Sequence, residues 1–359
     1  MPFQHYKDCP QWVPPFKSDV KYLINKDKFP FFEHSDGDFF IAEKDGEIVG
    51  RIAAMHNLPY NEYHQSNVLN FALLESIEDQ DVFNGLFETI FDWGTKRGLD
   101  TVIGPKPFTA LEGYGIQVKG FEHHQMMTMM NYNYPYYPVM LENIGFEKEV
   151  DFVSCYVRST DFQMPEKIHR VAERVLEKGK FGIKKFKTKK ELKQWGSRIG
   201  EAYNKTFVDN WEYYPLSERE IDYVIDAIII TANPKLIKII TYEEEVVGFL
   251  FAFPDVSSAI QRCKGNLTPW GIADLLINMK RTNWLSVNGA GVLPQFHGRG
   301  GNALLYTELD KTLKEFNFEH FELTQVAETT KQMRKDLITL GGKEYKNHRV
   351  YRMKIEQKK

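Results

Sequence analysis

The stretch Gly291–Tyr306, GVLPQFHGRGGNALLY, decides the reading of the chain. A β-rich run, Asn283–Val292, leads into it, a glycine-dense turn follows, and Leu305, Leu309, Leu313 and Phe316 then recur at helical spacing. A strand that turns through glycines into a helix presents successive backbone N–H groups at the helix N-terminus. Unpaired donors and the helix dipole both favour an anion there. Gly298, Gly300 and Gly301 allow a phosphate close to the backbone, and Arg299 adds a positive charge. The turn is not a P-loop, because no Gly-Lys-Ser/Thr follows, and it is not the dinucleotide fingerprint G-x-G-x-x-G.

Around this stretch the chain repeats its own plan. Asp38–Ala54 and Leu236–Phe253 each read as two β-rich runs around a short charged turn, a hairpin pattern. They align without a gap, Gly50 falling on Gly248 at an offset of 198 residues. Gly145 and Gly341 each close a helical pattern and lie 196 residues apart. Two matches at nearly one offset point to a tandem repeat, with a boundary near Ser159–Pro165 and domains at 1–160 and 165–359. In the first half, Asn67–Glu75 reads as a strand. A helix with Val82, Phe83, Leu86, Phe87, Ile90 and Phe91 follows, capped by Asp79 or Asp81, then a strand at Thr101–Gly104, a helix at Tyr136–Asn143 and a strand at Phe152–Val157. In the second half, capping boxes at Thr188/Glu191 and Ser217/Glu220 open two helices, the first carrying Leu192, Trp195, Ile199, Tyr203 and Phe207. After the turn come a strand at His320–Val326, a helix at Thr330–Leu340 and a last strand or hairpin at Tyr345–Ile355. Ser257–Arg281 has no counterpart in the first half.

The turn resembles the acyl-CoA pyrophosphate loop of the GNAT acetyltransferase superfamily, V-x-P-x-x-R/Q-G-x-G-x-G/A at a strand-to-helix junction. Anchored on Val292 and Pro294, it puts His297 at the R/Q position, Gly298, Arg299, Gly300 and Gly301 in the loop, Asn302 where Gly or Ala is usual, and Ala303 in the helix. The resemblance implies an α/β (α+β) fold of two tandem GNAT-like domains, each a mixed, mostly antiparallel twisted sheet flanked by helices. It also implies acetyl-CoA or another acyl-CoA as co-substrate, bound by Val292, Leu293, His297, Gly298, Arg299, Gly300, Gly301, Asn302 and Ala303, with the thioester near Ser286–Gly291. The strand before the loop is expected to splay from its neighbour, and Gly289 and Gly291 to serve a bulge or close backbone approach. The implied activity is N-acetyl transfer to the amine of a small molecule or peptide. Trp211, Tyr213, Tyr214 and Asn288 are the acceptor-side candidates. Ser286, Glu322 and Thr324 are further polar residues on the central strands. The family's frequent acid is a Tyr four residues before the glycine that ends the last helix, and Leu337 stands there. The catalytic residues are therefore left unassigned, and a non-catalytic acyl-CoA sensor or scaffold stays open beside the enzyme. A Fem-type aminoacyl transferase ranks last, for want of a helical arm and a basic groove. In the first half Ser76-Ile77-Glu78-Asp79-Gln80-Asp81 occupies the loop position with no glycine and three carboxylates, so that half is expected to be a degenerate domain without CoA.

The whole composition agrees with a folded two-domain chain: 359 residues, 42% hydrophobic, formal net charge -3. That balance argues against a dedicated nucleic-acid binder. The longest apolar runs, such as Ala227–Ala232, are far short of a membrane span, and the first residues carry no signal-peptide pattern, so a cytoplasmic location without membrane contact is expected. Three scattered cysteines make no disulfide framework. Adjacent His123 and His124 point apart on an extended chain, and no metal is expected. The aromatic content is high, with 26 Phe, 18 Tyr and 6 Trp. The clusters Tyr132-Tyr134-Tyr136-Tyr137 and Trp211-Tyr213-Tyr214 do not follow a simple core period and are expected to face a cleft between the domains.

Overall fold

The computed structural model describes residues 1–108, 112–127, 129–162, 164–208, 210–211 and 213–355. Two compact units interleave along the chain. Unit 1 takes Met1–Val153, Ser257–Leu275 and Tyr345–Lys359, and unit 2 takes Ser154–Val256 and Leu276–Glu344.

The amino-terminal run holds α1 (Pro2–His5), α2 (Lys17–Leu23), β1 (Asp36–Lys44), β2 (Glu47–His56), α3 (Leu58–His64), β3 (Val68–Ser76), α4 (Gln80–Thr95), β4 (Thr101–Gly104), β5 (Ile116–Lys119), α5 (Tyr136–Ile144) and β6 (Glu147–Arg158). Next come α6 (Glu166–Glu177), β7 (Phe181–Lys185), α7 (Lys189–Gln194), α8 (Gly196–Thr206), α9 (Glu218–Thr231), β8 (Lys238–Tyr242), β9 (Glu245–Pro254), α10 (Ser257–Cys263) and α11 (Pro269–Arg281). The chain closes with β10 (Trp284–Val292), α12 (Gly301–Phe316), β11 (His320–Ala327), α13 (Lys331–Thr339) and β12 (Lys343–Lys354).

In unit 1 the strands run β1-β2-β3-β4-β12, with β5 also on β12; in unit 2 they run β11-β10-β9-β8-β7. Among these neighbours, pairing is antiparallel except for β3 with β4 and β10 with β11. The repeat is visible in the registers. Gly50 on β2 faces Ser76, the last residue of β3, and Gly248 on β9 faces Val292, the last residue of β10. Each glycine admits a close neighbour. A Cβ on Gly50 would lie 2.9 Å from Leu86 Cδ1, and one on Gly248 2.9 Å from the Gly291 carbonyl oxygen. Gly145 (φ 108°) and Gly341 (φ 97°) follow α5 and α13 in the left-handed conformation that ends a helix without a Cβ penalty.

Helix α4 turns Val82, Phe83, Leu86, Phe87, Ile90 and Trp93 inward, onto a core with Ile52, Leu69, Phe71 and Val102. In unit 2, Leu304, Leu305, Leu309 and Leu313 of α12 pack with Leu250, Leu285, Val287, Phe321, Leu323 and Leu337. The helix expected through Leu192–Phe207 is two, α7 and α8, meeting at Trp195. Gly196 and Gly200 bring α8 close to α9, for a Cβ at Gly200 would fall 2.2 Å from Ile221 Cγ2. The residues without a first-half counterpart form α10 and α11, and α6 and β7 are elements the sequence reading passed over.

Candidate functional site

Strand β10 is held on both sides only at its start. Its parallel ladder with β11 covers Trp284↔His320 to Val287↔Leu323 and stops there. Its antiparallel ladder with β9 continues past a bulge between Val287 and Ala290 to Val292↔Gly248. Residues 288–292 therefore run on beside β9 alone, and β10 and β11 part. Gly289 sits in the bulge at φ 116°, where only glycine is unstrained, and its missing side chain makes room for Phe251. A Cβ on Gly291 would strike Thr206 Cγ2 at 2.4 Å, so the end of α8 closes on the strand at this point.

Four polar residues lie on the strands at the fork. Ser286 and Glu322 are opposite each other in the ladder and fully buried. The Thr324 hydroxyl donates to the Val287 carbonyl at 3.3 Å, and half-buried Asn288 lies in the bulge. Tyr213, in the connection between α8 and α9, donates to the Asn204 carbonyl at 2.5 Å, which brings it to the same end of α8. Burial and the neighbouring Tyr213 hydroxyl push Tyr203 up to about 12. Trp211 and Tyr214 are half-buried in the same connection.

Past Val292 the chain makes a 3-10 turn at Pro294–Phe296 and enters α12 through Gly298 (φ 70°) and Gly300 (φ 99°). Leu293 N–H is tied to the Val247 carbonyl at 2.8 Å, and the His297 ring Nε2 donates to the Val292 carbonyl at 2.8 Å. His297 thus staples the turn to the strand end. Among the described residues, no backbone carbonyl accepts from the N–H groups of Gly298, Gly300, Gly301, Asn302 or Ala303, and α12 has no side-chain cap. These donors converge on the start of a 16-residue helix, the arrangement that favours an anion. The Arg299 guanidinium stands 5.0 Å from the Phe296 ring centroid and 5.2 Å from that of Tyr242. A cleft of about 380 Å³ opens beside this turn, its charged lining mixed: Arg198 and Lys205 stand with Glu201, Glu243 and Glu245.

Unit 1 has a different helix start. The ladder of β3 with β4 covers Val68–Asn70, and beyond it Lys106 N–H still donates to the Phe71 carbonyl at 2.8 Å. At the start of α4 the Asp79 carboxylate accepts from Asp81 N–H at 3.0 Å and pairs with Lys44 at 2.8 Å, so this N-terminus holds its own anion. Glu75, the counterpart of Gly291 by the repeat, accepts from Tyr6 at 2.7 Å and Tyr137 at 3.1 Å and faces Arg51 at 3.6 Å. Burial raises its pKa. Tyr132, Tyr134 and Tyr136 join Tyr6 in one aromatic cluster. Sequence reasoning missed this network, because the residue that fills the place, Tyr6, comes from far away in the chain.

Leu337 is 1% exposed and part of the unit 2 core. The neighbouring Tyr306 hydroxyl, on α12, donates to Asp336 at 3.0 Å, and burial holds its pKa well above the ordinary range. Among the described residues no group of three or more His, Cys, Asp or Glu is placed to hold a metal.

No family model matches the chain. Among solved structures, a tandem GNAT protein from the clavulanic acid biosynthesis pathway aligns with 99% of this chain and 93% of its own, at a TM-score of 0.55 and 10% identity. The chain has the tandem GNAT fold. A GCN5-related glucosamine N-acetyltransferase region of a fungal multi-domain β-N-acetylglucosaminidase shares the GNAT fold over 98% of this chain and 36% of that one, with a TM-score of 0.56 and 12% identity. Among curated proteins, the chain is 25% identical over 362 residues to Protein YghO of Escherichia coli, covering 99% of this chain and 91% of the relative. It is 26% identical over 349 residues to a bacterial ceramide synthase of Caulobacter vibrioides, covering 95% and 90%.

Proposed function

We propose that the chain is an acyl-CoA-dependent N-acyltransferase whose acyl donor is held by unit 2. The observation that carries this reading is the parting of β10 from β11 directly before the uncapped N-terminus of α12. The residues fit such a donor. Backbone N–H groups from Gly298 to Ala303 and the Arg299 guanidinium suit a diphosphate. The free edge of β10 at residues 288–292, leading to Val292 and Leu293, suits an amide-bearing arm laid alongside it like an added strand. His297 serves by holding the loop. In unit 1 the same places carry Asp79 and Glu75, which repel phosphates, so the repeat at 1–160 supports the fold and the repeat at 165–359 takes the donor.

In the reaction the acceptor nitrogen attacks the thioester carbonyl. The N–C bond forms, the C–S bond breaks, the amine gives up a proton and the sulfur leaves as a thiol. Glu322 is the carboxylate at the fork and the proton acceptor we assign to this step. The likeness to a ceramide synthase favours a long acyl group and an amphiphilic amine, since ceramide is an amide of a long-chain amino alcohol, with acetyl-CoA as the shortest donor. Asn288, Trp211, Tyr213 and Tyr214 are proposed on the acceptor side. Use of acyl-CoA fits a cytoplasmic reaction. One observation favours a second reading, a non-catalytic acyl-CoA sensor: Leu337, at the place of the family's usual acid, is locked in the core.

The test is thermal stabilisation by acetyl-, octanoyl- and palmitoyl-CoA, followed by thiol release with an amine panel that includes long-chain amino alcohols. Stabilisation with thiol release supports the enzyme. Stabilisation without release from any acceptor supports the sensor, and no stabilisation contradicts both. Glu322→Gln should retain donor binding and lose thiol release by roughly a hundredfold or more.

A further inference from the structure

Helix α11 turns an apolar stripe to solvent. None of its 13 residues is buried. At 100° per residue, Ile272, Ala273, Leu276, Ile277 and Trp270 form one stripe, and all five are exposed. Trp270 is 85% exposed, Leu276 56%, Ile277 48% and Ile272 45%, and Leu267, just before the helix, is 46% exposed. The opposite, half-buried side carries Gly271, Asp274, Leu275, Asn278 and Met279, with Asp274 bonded to Arg262 at 2.7 and 3.1 Å. The helix thus turns four large apolar side chains, with Lys280 among them, away from the protein, an exposed patch of the kind that marks an interaction surface. The charge around the stripe is one-sided. Arg262, Lys264, Lys280 and Arg281 stand against one acidic residue, Asp274, a local net charge of +3 in a chain whose formal net charge is -3. Lys264, Lys280 and Arg281 are exposed.

We infer that α11 docks the protein on the surface of a bilayer containing anionic lipid. The apolar stripe and Trp270 enter the headgroup region, and Lys264, Lys280 and Arg281 contact the phosphates. Among the described residues no helix is long and apolar enough to cross a membrane, and a helix lying in the interface needs no such length. The inference departs from the expectation of no membrane contact, which rested on the search for spanning segments. The inference goes beyond the acyl-transfer reading and does not depend on it.

The experiment is flotation of the full chain with phosphatidylcholine vesicles, with and without phosphatidylglycerol, in the absence of any CoA compound. The chain should float with the anionic vesicles. Leu276→Glu/Ile277→Glu should lower the bound fraction by roughly tenfold or more, because burying one large apolar side chain is already worth that much. Lys280→Glu/Arg281→Glu should abolish the dependence on phosphatidylglycerol. All of these positions are exposed, so circular dichroism should show both variants folded. Brominated lipid should quench the chain's tryptophan fluorescence, and Trp270→Phe should remove that quenching while flotation persists. Failure of the chain to float, or equal flotation of the Leu276/Ile277 variant, overturns the inference. So does a vesicle-free dimer that this variant converts to a monomer, because the stripe would then be an interface between copies.

Discussion

Asn302→Glu separates what the start of α12 does for the fold from what it does for a ligand. Asn302 is the exposed second residue of a helix that has no side-chain cap. A carboxylate there meets the positive end of the helix dipole and should stabilise the free protein by about 0.3–1 kcal/mol, a rise in Tm of about 1–3 °C for a unit of this size. The same carboxylate lies beside the place assigned to a diphosphate. At about 5 Å, two unit charges repel by about 3 kcal/mol at an effective dielectric constant of 20 and by about 1 kcal/mol in water. The position is exposed, so the lower half of that range applies and CoA affinity should fall by about 5- to 30-fold. The loss should shrink as salt is added, because the charges are screened. Asn302→Gln, which adds no charge, should leave both quantities nearly unchanged. Scanning calorimetry of the free proteins and titration calorimetry with CoA read the two effects. An affinity for CoA equal in Asn302→Glu and the unsubstituted protein refutes the assignment of the phosphate to this helix start. Gly300→Glu would be a poorer test, because Gly300 has φ 99° and a Cβ there would meet Val175 Cγ2 at 2.5 Å, so the loop itself would be damaged.

Further outcomes follow from buried groups. His348 is fully buried, its Nε2 donates to the Asn131 carbonyl at 2.9 Å, and burial pushes its pKa down to about 4. With an unfolded value near 6.5, the unfolded state takes up a proton first as pH falls. Stability is thus fully present above about pH 6.5 and is lost toward pH 4, by on the order of 3 kcal/mol; urea unfolding across that window should show the slope, and His348→Gln should flatten it. Leu337→Ala should cost about 2–5 kcal/mol by leaving a cavity in the unit 2 core. Leu337→Tyr should also destabilise, by about 1–3 kcal/mol, without raising thiol release, because the position is filled core. Ser217→Ala removes the cap of α9, whose Glu220 N–H donates to the Ser217 hydroxyl at 3.3 Å, and should cost about 1 kcal/mol in denaturant unfolding. A stability unchanged by that substitution would contradict the capping-box assignment.

Local rules explain what could be read from the residues. The hairpin turn at Asp45-Gly46 has both residues at positive φ, as an Asp-Gly turn should. The Ser217/Glu220 box and the Asp79 cap occur as the spacing predicts. The strand–turn–helix at Val292–Ala303 and the loss of that turn at Ser76–Asp81 were legible because glycine and carboxylate placement is a local matter. What could not be read depends on distant or weak signals. Helix α6 buries only Ala172, and β7 is an edge strand with no fully buried residue, so neither carries a strong pattern. The place of β12 in unit 1, beside β4, is a long-range pairing. Glu322 looked like one of several polar residues on a strand, and only the ladder with Ser286 sets it at the fork. The exposed stripe on α11 has an ordinary helical period, and which side faces solvent is decided by the fold.

The most direct test of the account is a crystal structure with a non-reactive thioether analogue of an acyl-CoA. The diphosphate should accept from the N–H groups between Gly298 and Ala303, and the thioether should lie between β10 and β11 within reach of Glu322, with one analogue per chain. A diphosphate bound elsewhere, such as beside Asp79 in unit 1, or an analogue that leaves the gap between β10 and β11 empty, would contradict it.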